Sequence, residues 1–499
     1  MEFNINKFDQ AAYKKELIKA LNENNKVDLS FSYPNKKIFS SIYGLMSLTL
    51  GNKDIVFIFE SIVTVLREAI INAIKANAKR LYFETSNQDI TNPEVYSRVM
   101  KNFREEIIGD LTVVEEQIMK SPYVIDFSIE QTSDAISVVV SNNVPMLKEE
   151  EERIAMRIAN AVKFKDFSEA YETMYDETEG AGLGLILTIF LLKNIGVPTA
   201  NFNIGVDGNK TRFSVKIPFQ LKPNELTTEV KEQILKEIHV LPTFPQNVVE
   251  LQLLAENPNS EISVLAEKIH RDPSLSADIL KMANSAGFVA MRKIETINDA
   301  LMRIGLVNLK YMLIAASSKK ILDQRYKKFE QIWNHCLKAA FYGRQIAILT
   351  NNKKIVEKAF ISSLLHDIGK IVLLSVDLSL TNWIADFVKQ HGIRSTTILE
   401  EVSLGISHAS IGKLIAERWN FADFITSCIA YHHSPYQAPE EFKDLIYITY
   451  LANLFCGIEA RRYEYSYIDP NVIQFLNFKD ENDAMELHKK LIEMHKTLA

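Results

Sequence analysis

Cysteine is scarce in this sequence: its 499 residues include three, Cys336, Cys428 and Cys456. They lie far apart and form no CxxC pair, which argues against a disulfide framework and against a thiolate zinc site. Long hydrophobic runs are also lacking: the most apolar helix candidate, residues 183–192, is far shorter than a membrane span. The N-terminus has no signal-peptide pattern. We therefore expect a cytoplasmic protein with no membrane partner.

The sequence also lacks excess positive charge. Its net charge is −6, so composition provides no general attraction to nucleic acid, and none is expected as a direct partner. Hydrophobic residues make up 47% and charged residues 24%, as in ordinary globular proteins. A chain of this length is expected to form about two to four domains.

The first part of the chain mixes strand and helix patterns. Alternating apolar residues predict strands at residues 27–34, 80–85, 123–131, 135–143 and 211–218. Apolar residues spaced three and four apart predict helices at residues 58–80, 93–120 and 182–196.

From Leu241 onwards almost all patterns are helical, and a polar stretch precedes them. We therefore expect a multidomain protein with an α/β sandwich (1–220), a helical linker (221–240), an all-α domain (241–460) and a charged helical tail (461–499).

Three polar residues of the 58–80 helix share one face, because Glu68, Asn72 and Lys75 are spaced four and three apart. A carboxylate, an amide and an ammonium there could orient water, bind Mg²⁺ and meet a phosphate. A solvated helix face is the alternative.

Two turns that contain glycine follow later in the chain. EGAGLGLI carries Gly180, Gly182 and Gly184 at the start of a helix pattern, and GNK leads into the strand that begins at Thr211. Glycine lets the backbone approach phosphate oxygens, and the start of a helix offers free N–H groups. A simple tight turn is the alternative.

In order and spacing, these pieces resemble the ATP-binding domain shared by GHKL ATPases and histidine-kinase catalytic domains, over roughly residues 28–220. EAIINAIKAN resembles the N box of that family, GAGLGL its second glycine box, and GNKTRFSVKIP its last glycine turn and strand. The resemblance implies that Asn72 binds Mg²⁺, that the three glycines surround the triphosphate of ATP, and that Thr211 lies near the adenine. Glu68 would orient water if ATP is hydrolysed.

The sequence departs from this family at the first glycine box. The family has an Asp that accepts a hydrogen bond from the adenine amino group, whereas this strand ends in VVVSNNVPM. Asn142 or Asn143 would replace the Asp, since an Asn carbonyl also accepts a bond from an amino group. Pro145 stands where glycine is usual, and the expected lid, residues 147–180, is acidic at both ends.

The first histidine of the chain is His239, so the N-terminal domain has no histidine that could accept a phosphoryl group. This observation argues against a self-phosphorylating sensor kinase. Phosphorylation of a partner protein is the remaining kinase alternative.

The helical C-terminal region is rich in histidine. One carboxylate, Asp367, and five histidines lie in or near its helix patterns: His335, His366, His408, His432 and His433. A lone histidine on an apolar helix is usually a satisfied core residue, but several in one domain are better explained by convergence on one point. Neutral imidazoles and a carboxylate suit Fe, Mn or Zn.

The contexts of these residues resemble the HD phosphohydrolase superfamily, and more closely its HDOD branch (HD-related output domain), over roughly residues 236–460. The stretch DPSLSADILKMANSA is very specific for that branch. The resemblance implies that the metal ligands are His335, His366, Asp367 and His408, with one or both of His432 and His433. Lys370, one helical turn after His366, could contact a phosphate. Asn453 stands where the family has its last Asp ligand, and HDOD domains are in general non-catalytic modules for signal output and protein interaction.

The motif LLHDIGK therefore has three interpretations: a metal site with a structural or regulatory role, an active metal-dependent phosphohydrolase, or a cluster that satisfies itself by hydrogen bonding. We expect a bacterial signal-transduction protein in which an ATP- and Mg²⁺-binding domain regulates an HDOD output domain without phosphohydrolase activity. The enzyme alternatives are a phosphohydrolase or phosphodiesterase at the HD site, and a weak ATPase or partner-directed kinase at the GHKL-like site. The partner is expected to be an unidentified signalling protein, and homodimerisation rests on family analogy alone.

Overall fold

The computed structural model describes residues 2–4, 17, 19–21, 23, 25–53, 55–103, 106–107, 111–161, 163–174, 182–224, 226, 228–285, 294–326, 330–376, 378–391, 393 and 395–497. Its contacts divide the chain into two compact units, Met1–Leu226 and Thr227–Ala499.

The first unit is built on a six-stranded sheet. Its strands are β1 (Glu2–Asn4), β2 (Lys26–Phe31), β3 (Ile125–Gln131), β4 (Ala135–Asn142), β5 (Phe202–Asp207) and β6 (Lys210–Pro218). They lie in the order β1-β2-β3-β4-β6-β5, where β1 is parallel to β2 and the other four neighbouring pairs are antiparallel. The register places Asn142 opposite Thr211, so both residues lie at the same end of the sheet.

Helices pack against this sheet, and the long helix of residues 59–85 contacts β3 and β4. They are α1 (Lys36–Gly51), α2 (Phe59–Thr85), α3 (Pro93–Phe103), α4 (Glu115–Lys120), α5 (Lys148–Ala161), α6 (Phe167–Met174) and α7 (Gly182–Asn194). Alternate residues of β4 are buried, as expected for a strand with one packed face: Ile136, Val138, Val140 and Asn142. The expected sheet with covering helices is therefore present.

The strand predicted at residues 80–85 is wrong, because these residues are the last turns of α2. Their aromatic content favours a strand locally, but tertiary packing decides the outcome. Phe83 is 2% exposed and stacks on Tyr96, and the Tyr82 ring meets the edge of Phe103.

The second unit is helical throughout the part that the structure describes. Its helices are α8 (Glu229–His239), α9 (Gln246–Glu256), α10 (Ile262–His270), α11 (Pro273–Ser285), α12 (Ile297–Arg325), α13 (Glu330–Leu349), α14 (Val356–Leu365), α15 (Ile368–Val376), α16 (Leu378–His391), α17 (Thr397–Leu404), α18 (His408–Arg418), α19 (Asp423–Tyr431), α20 (Lys443–Glu459), α21 (Pro470–Phe475) and α22 (Glu481–Lys496).

Both ends of this unit are anchored to its core. Before α8, Thr228 caps the helix and donates its hydroxyl to the carbonyl of Leu404. In the tail, His488 on α22 is 1% exposed and stacks on Phe455 with ring centroids 4.3 Å apart. The His488 imidazole also lies 3.3 Å from the carboxylate of Glu459.

Two helical segments are long and apolar enough to cross a membrane by composition, Ile297–Arg325 and Lys353–Val376. The fold buries 56% of the apolar window of the first and 78% of the second. Neither is a regular helix, since Gly305 has φ 76° inside the first, and residues 366–367 separate α14 from α15 in the second.

Candidate metal centre and ligand cavity

The motif LLHDIGK forms the corner between α14 and α15. Its apolar residues are buried on both sides, so the two polar residues at the corner are buried as well: His366 is 0% and Asp367 is 1% exposed. A buried carboxylate is costly unless cations or hydrogen-bond donors surround it.

Four imidazoles from four helices or helix ends converge on Asp367. On one side, Nε2 of His335 and Nε2 of His366 each lie 3.3 Å from Oδ2 of the carboxylate. On the other side, Nε2 of His408 lies 3.4 Å and Nε2 of His432 lies 3.3 Å from Oδ1. The convergence predicted from the sequence is therefore present in the structure.

A fifth imidazole, that of His433, completes one of two groups with donor atoms within 4.8 Å of one another. One group consists of Asp367, His408, His432 and His433, and the other of His335, His366 and Asp367. Asp367 belongs to both groups and links them. Among the described residues, neither its Oδ1 nor Nε2 of His433 has a hydrogen-bond partner, although both atoms are buried.

The outer ring nitrogens fix which tautomer three of the histidines adopt. Nδ1 of His366 lies 2.7 Å from the carbonyl of Ser363, and Nδ1 of His432 lies 2.8 Å from the carbonyl of Ile429. A carbonyl only accepts, so each Nδ1 carries the proton and donates it. In the neutral imidazole, Nε2 then presents a lone pair towards Asp367.

His408 is oriented in the same way by a carboxylate. Both oxygens of Glu400 accept from Nδ1 of His408, at 2.7 and 2.9 Å, and one also accepts from its backbone N–H. Glu400 is 3% exposed. Burial alone would lower the pKa of His408, but the charge of Glu400 raises it. A carboxylate behind a histidine is the usual support for a metal ligand.

The protonation states leave lone pairs facing one another at the centre. Burial lowers the pKa of His432 to about 3, so its imidazole is neutral near pH 7. The pKa of Asp367 lies well below its usual value: burial opposes ionisation, but the nearby ammonium of Lys370 favours the carboxylate. The neutral Nε2 of His432 therefore points a lone pair at a carboxylate oxygen and also lies 3.3 Å from Nε2 of His408. A proton on Nε2 of His408 or a bound cation relieves these contacts, and the donor set fits a divalent transition metal.

The two groups around Asp367 differ in charge. Nζ of Lys370 lies 2.7 Å from Oδ2, on the side of His335 and His366. Asn453, the residue in place of the expected Asp, lies 3.1 Å from Nε2 of His335. The group of His335 and His366 thus has a neighbouring ammonium and a neutral amide. The group of His408, His432 and His433 instead has the additional carboxylate of Glu400.

Two glycines bring the helices of the centre together. A Cβ on Gly369 would lie 2.0 Å from the carbonyl oxygen of His408 and 2.5 Å from the backbone nitrogen of Gly412. This contact between α15 and α18 requires a glycine, and it sets the distance between Asp367 and His408.

The first unit contains a cavity of about 210 Å³. Four of the residues predicted to bind nucleotide line it: Asn72, Lys75, Asn142 and Thr211. They come from α2 and from the paired ends of β4 and β6, which explains how residues distant in sequence meet.

The remaining residues of this prediction lie in other places. Glu68 is 5% exposed and packs on α7, where a Cβ on Gly184 would lie 2.0 Å from its Oε2. Asn143 holds a turn, because its side chain accepts from the N–H of Val124 and donates to the carbonyl of Pro122. Gly182 is the first residue of α7, and Gly180 lies outside the described residues.

Asn142 has a structural partner that the sequence did not indicate. Its Nδ2 donates to Oδ1 of Asn77 at 2.9 Å, and both residues are buried. Its carbonyl oxygen is the group that the resemblance assigns to a ligand amino group.

The sequence analysis missed Glu400, Lys79, Arg80 and Glu150. Glu400 supports His408, and the other three lie at the rim of the cavity. The acidic run KEEEER is visible in the sequence, but no pattern indicates which of its carboxylates turns inward.

Comparison with known proteins identifies part of the second unit. Residues 241–435 match the HDOD domain family. An uncharacterized protein of Treponema pallidum (strain Nichols) is 27% identical over 416 residues, which are 83% of this chain and 81% of that protein. This alignment is longer than either unit, so it includes parts of both.

Two solved structures are similar to about half of the chain. An HDOD domain protein with unknown function from Geobacter sulfurreducens has 23% identity and a TM-score of 0.44, covering 54% of this chain and 96% of its own. A protein of Shewanella amazonensis SB2B that is named a proposed phosphohydrolase has 24% identity and a TM-score of 0.41, covering 53% and 98%.

Proposed function

We propose that this chain, which carries an HDOD domain at residues 241–435, is a signal-transduction protein whose HDOD domain holds a divalent transition metal at Asp367. The observation that supports this proposal most is the arrangement around the carboxylate. Each oxygen of this carboxylate has imidazole Nε2 atoms within 3.4 Å. In His366, His408 and His432 the other ring nitrogen, Nδ1, donates a hydrogen bond to a carbonyl or carboxylate outside the cluster.

The ligands would be Asp367, His408, His432 and His433 in one group, with His335 and His366 in the other. The donor set suits Fe, Mn or Zn. When bound at such a site, a metal of this kind supplies Lewis-acid activation of water or of a phosphoryl oxygen.

The role that we propose for the metal is structural or regulatory. Asn453 is a neutral ligand in place of a carboxylate, and Lys370 places an ammonium on Oδ2 of Asp367. Both features reduce the affinity of the His335 and His366 group for a second metal ion. The domain then presents its surface to an unidentified signalling protein.

Elemental analysis of chelator-free purified protein tests the metal proposal. We expect one or two ions per chain, lost in Asp367→Asn, which keeps the shape of the side chain. His488→Asn is the matched control, since His488 is a buried histidine of the same unit outside the cluster. If the natural protein contains no metal and Asp367→Asn leaves the free energy of unfolding unchanged, the metal proposal is wrong. The cluster would then be a buried polar group whose members satisfy one another by hydrogen bonding.

We further propose that the first unit binds ATP with Mg²⁺ and regulates the HDOD domain. Support comes from the four predicted residues that line one cavity. Isothermal titration calorimetry should detect ATP binding that Asn72→Ala weakens. Hydrogen exchange within residues 241–435 should change at saturating ATP, and unchanged exchange would contradict regulation.

An active phosphohydrolase is the second candidate function. It is favoured by the number of imidazoles retained around Asp367 and by Lys370, whose ammonium could contact a phosphate. Cleavage of bis-p-nitrophenyl phosphate that disappears in His366→Ala would support it. A partner-directed kinase would instead transfer radiolabel from ATP to another protein, in a reaction that depends on Asn72.

A further inference from the structure

Five cationic side chains surround the cavity of the first unit. Lys75, Lys79 and Arg80 belong to α2, and Arg153 and Arg157 belong to the facing helix α5. Residues four apart lie on one side of a helix, so Lys75 with Lys79 and Arg153 with Arg157 form two facing rows. The rim is therefore strongly positive, although the whole chain has a net charge of −6.

The walls of the cavity are mostly apolar. They include Val140, Met146, Ile154, Leu185 and Phe213. An apolar chamber with a cationic rim suits a ligand that has a flat or apolar body and an anionic group, and a nucleoside polyphosphate has both.

One carboxylate, Glu150, stands among these cations, and it is the only acidic group among the described residues that line the cavity. It forms an ion pair with Lys79, and its Oε2 lies 3.5 Å from Nη2 of Arg80. Its side chain is 12% exposed. Its Oε2 also accepts from the N–H of Leu147 at 2.9 Å, a capping bond within the first turn of α5. The contacts of Glu150 with Lys79 and Arg80 link this turn to α2.

Glu150 does not provide a hydrogen-bond acceptor for every N–H group of the Arg80 guanidinium. Nη2 of Arg80 donates to the carbonyl of Pro145 at 2.8 Å, whereas Nη1 is buried and has no hydrogen-bond partner among the described residues. Buried donors are normally paired, so an additional acceptor is expected here. A phosphate group offers several acceptor oxygens and more charge than one carboxylate.

We infer that Lys79 and Arg80 form the subsite for the phosphates of a nucleotide, and that Glu150 occupies this subsite as an intramolecular competitor. This inference rests on the proposed nucleotide binding of the first unit. Binding of the phosphates displaces Glu150, which releases the contact between Glu150 and the N–H of Leu147 at the start of α5. Occupation of the cavity is thereby coupled to a rearrangement of that helix.

The test compares two substitutions that remove the same charge from neighbouring residues of α5. Glu150→Gln removes the competitor, and Glu151→Gln is the matched control because Glu151 is exposed and does not line the cavity. Binding of ATP with Mg²⁺ to the full-length protein is measured by isothermal titration calorimetry. We expect Glu150→Gln to strengthen ATP binding tenfold or more, Glu151→Gln to change it less than twofold, and Lys79→Gln to weaken it at least tenfold.

Adenosine provides a second control, since it lacks phosphates and its affinity should not respond to Glu150→Gln. In the natural protein, saturating ATP should speed amide exchange in residues 147–153, a readout that needs no substitution. Equal ATP affinity in Glu150→Gln and the natural protein would overturn the inference while leaving nucleotide binding intact. Failure of the natural protein, of Glu150→Gln and of Glu151→Gln to bind ATP would overturn nucleotide binding itself. Binding by Glu150→Gln alone would support the competitor role.

Discussion

In the candidate metal centre, the backbone contact between Gly369 and α18 leaves no room for even one additional methyl group. In Gly369→Ala, the new Cβ would begin 2.0 Å from the carbonyl oxygen of His408, whereas ordinary contact begins at 3.4 Å. The start of α18 must therefore move by about 1.4 Å, the difference between these two distances. Both sides of the contact are backbone, so no side-chain rotation relieves it.

We expect Gly369→Ala to lower the free energy of unfolding by about 3 kcal/mol, the upper part of the range for overpacking a core. His408 is the first residue of α18, so its Nε2 would leave its present distance of 3.4 Å from Oδ1 of Asp367. Metal content should fall together with stability. Urea denaturation followed by circular dichroism measures the first effect, and elemental analysis measures the second.

Two other glycines provide controls of graded severity. In Gly412→Ala the new Cβ meets first a methyl group of Ile429, at 2.6 Å, which a side-chain adjustment can relieve, so we expect a loss of about 1 kcal/mol. At Gly51 nothing lies within 4 Å, so Gly51→Ala should not destabilise the protein. A Gly369→Ala protein with natural stability and natural metal content would refute the reasoning.

Further predictions concern charge and hydrogen bonding. Burial raises the pKa of Glu401 to about 7, so the folded protein holds a proton that the unfolded chain releases. The free energy of unfolding should therefore fall by up to about 3 kcal/mol as the pH rises from about 5 to 7, and urea denaturation of Glu401→Gln should not show this loss. Asn142→Ala leaves the buried amide of Asn77 without its partner and should cost about 2 kcal/mol by the same assay. Asn453→Asp adds a carboxylate beside His335 and should strengthen metal binding there tenfold or more in a competition titration with a chelator.

The convergence of histidines on Asp367 could be predicted because these residues carry strong sequence signals. His366 and Asp367 are polar residues in an apolar stretch, and His432 and His433 are adjacent in sequence. The supporting carboxylate Glu400 was missed because its partner His408 is eight residues away across a turn, and no common motif links the two. Its role depends on how α17 leads into α18, which is a tertiary property.

The first unit shows the same division between local and tertiary signals. The alternation of β6 and the helical spacing of α2 were visible in the sequence, and they place Asn72 and Thr211 at one cavity. The strand predicted at residues 80–85 was wrong because burial of Phe83 continues the helix. The inward turn of Glu150 depends on Lys79 and Arg80 of another helix, so the sequence of α5 alone does not distinguish it from the neighbouring glutamates.

The central claim is that Asp367 binds a metal together with imidazole nitrogens. Anomalous X-ray diffraction, recorded at the absorption edges of Mn, Fe and Zn from crystals of protein purified without chelators, tests this claim most directly. The account predicts an anomalous peak within bonding distance of Asp367 and of at least two Nε2 atoms of the surrounding histidines. Absence of a peak at every edge, with the histidines and Asp367 in their present positions, would contradict it.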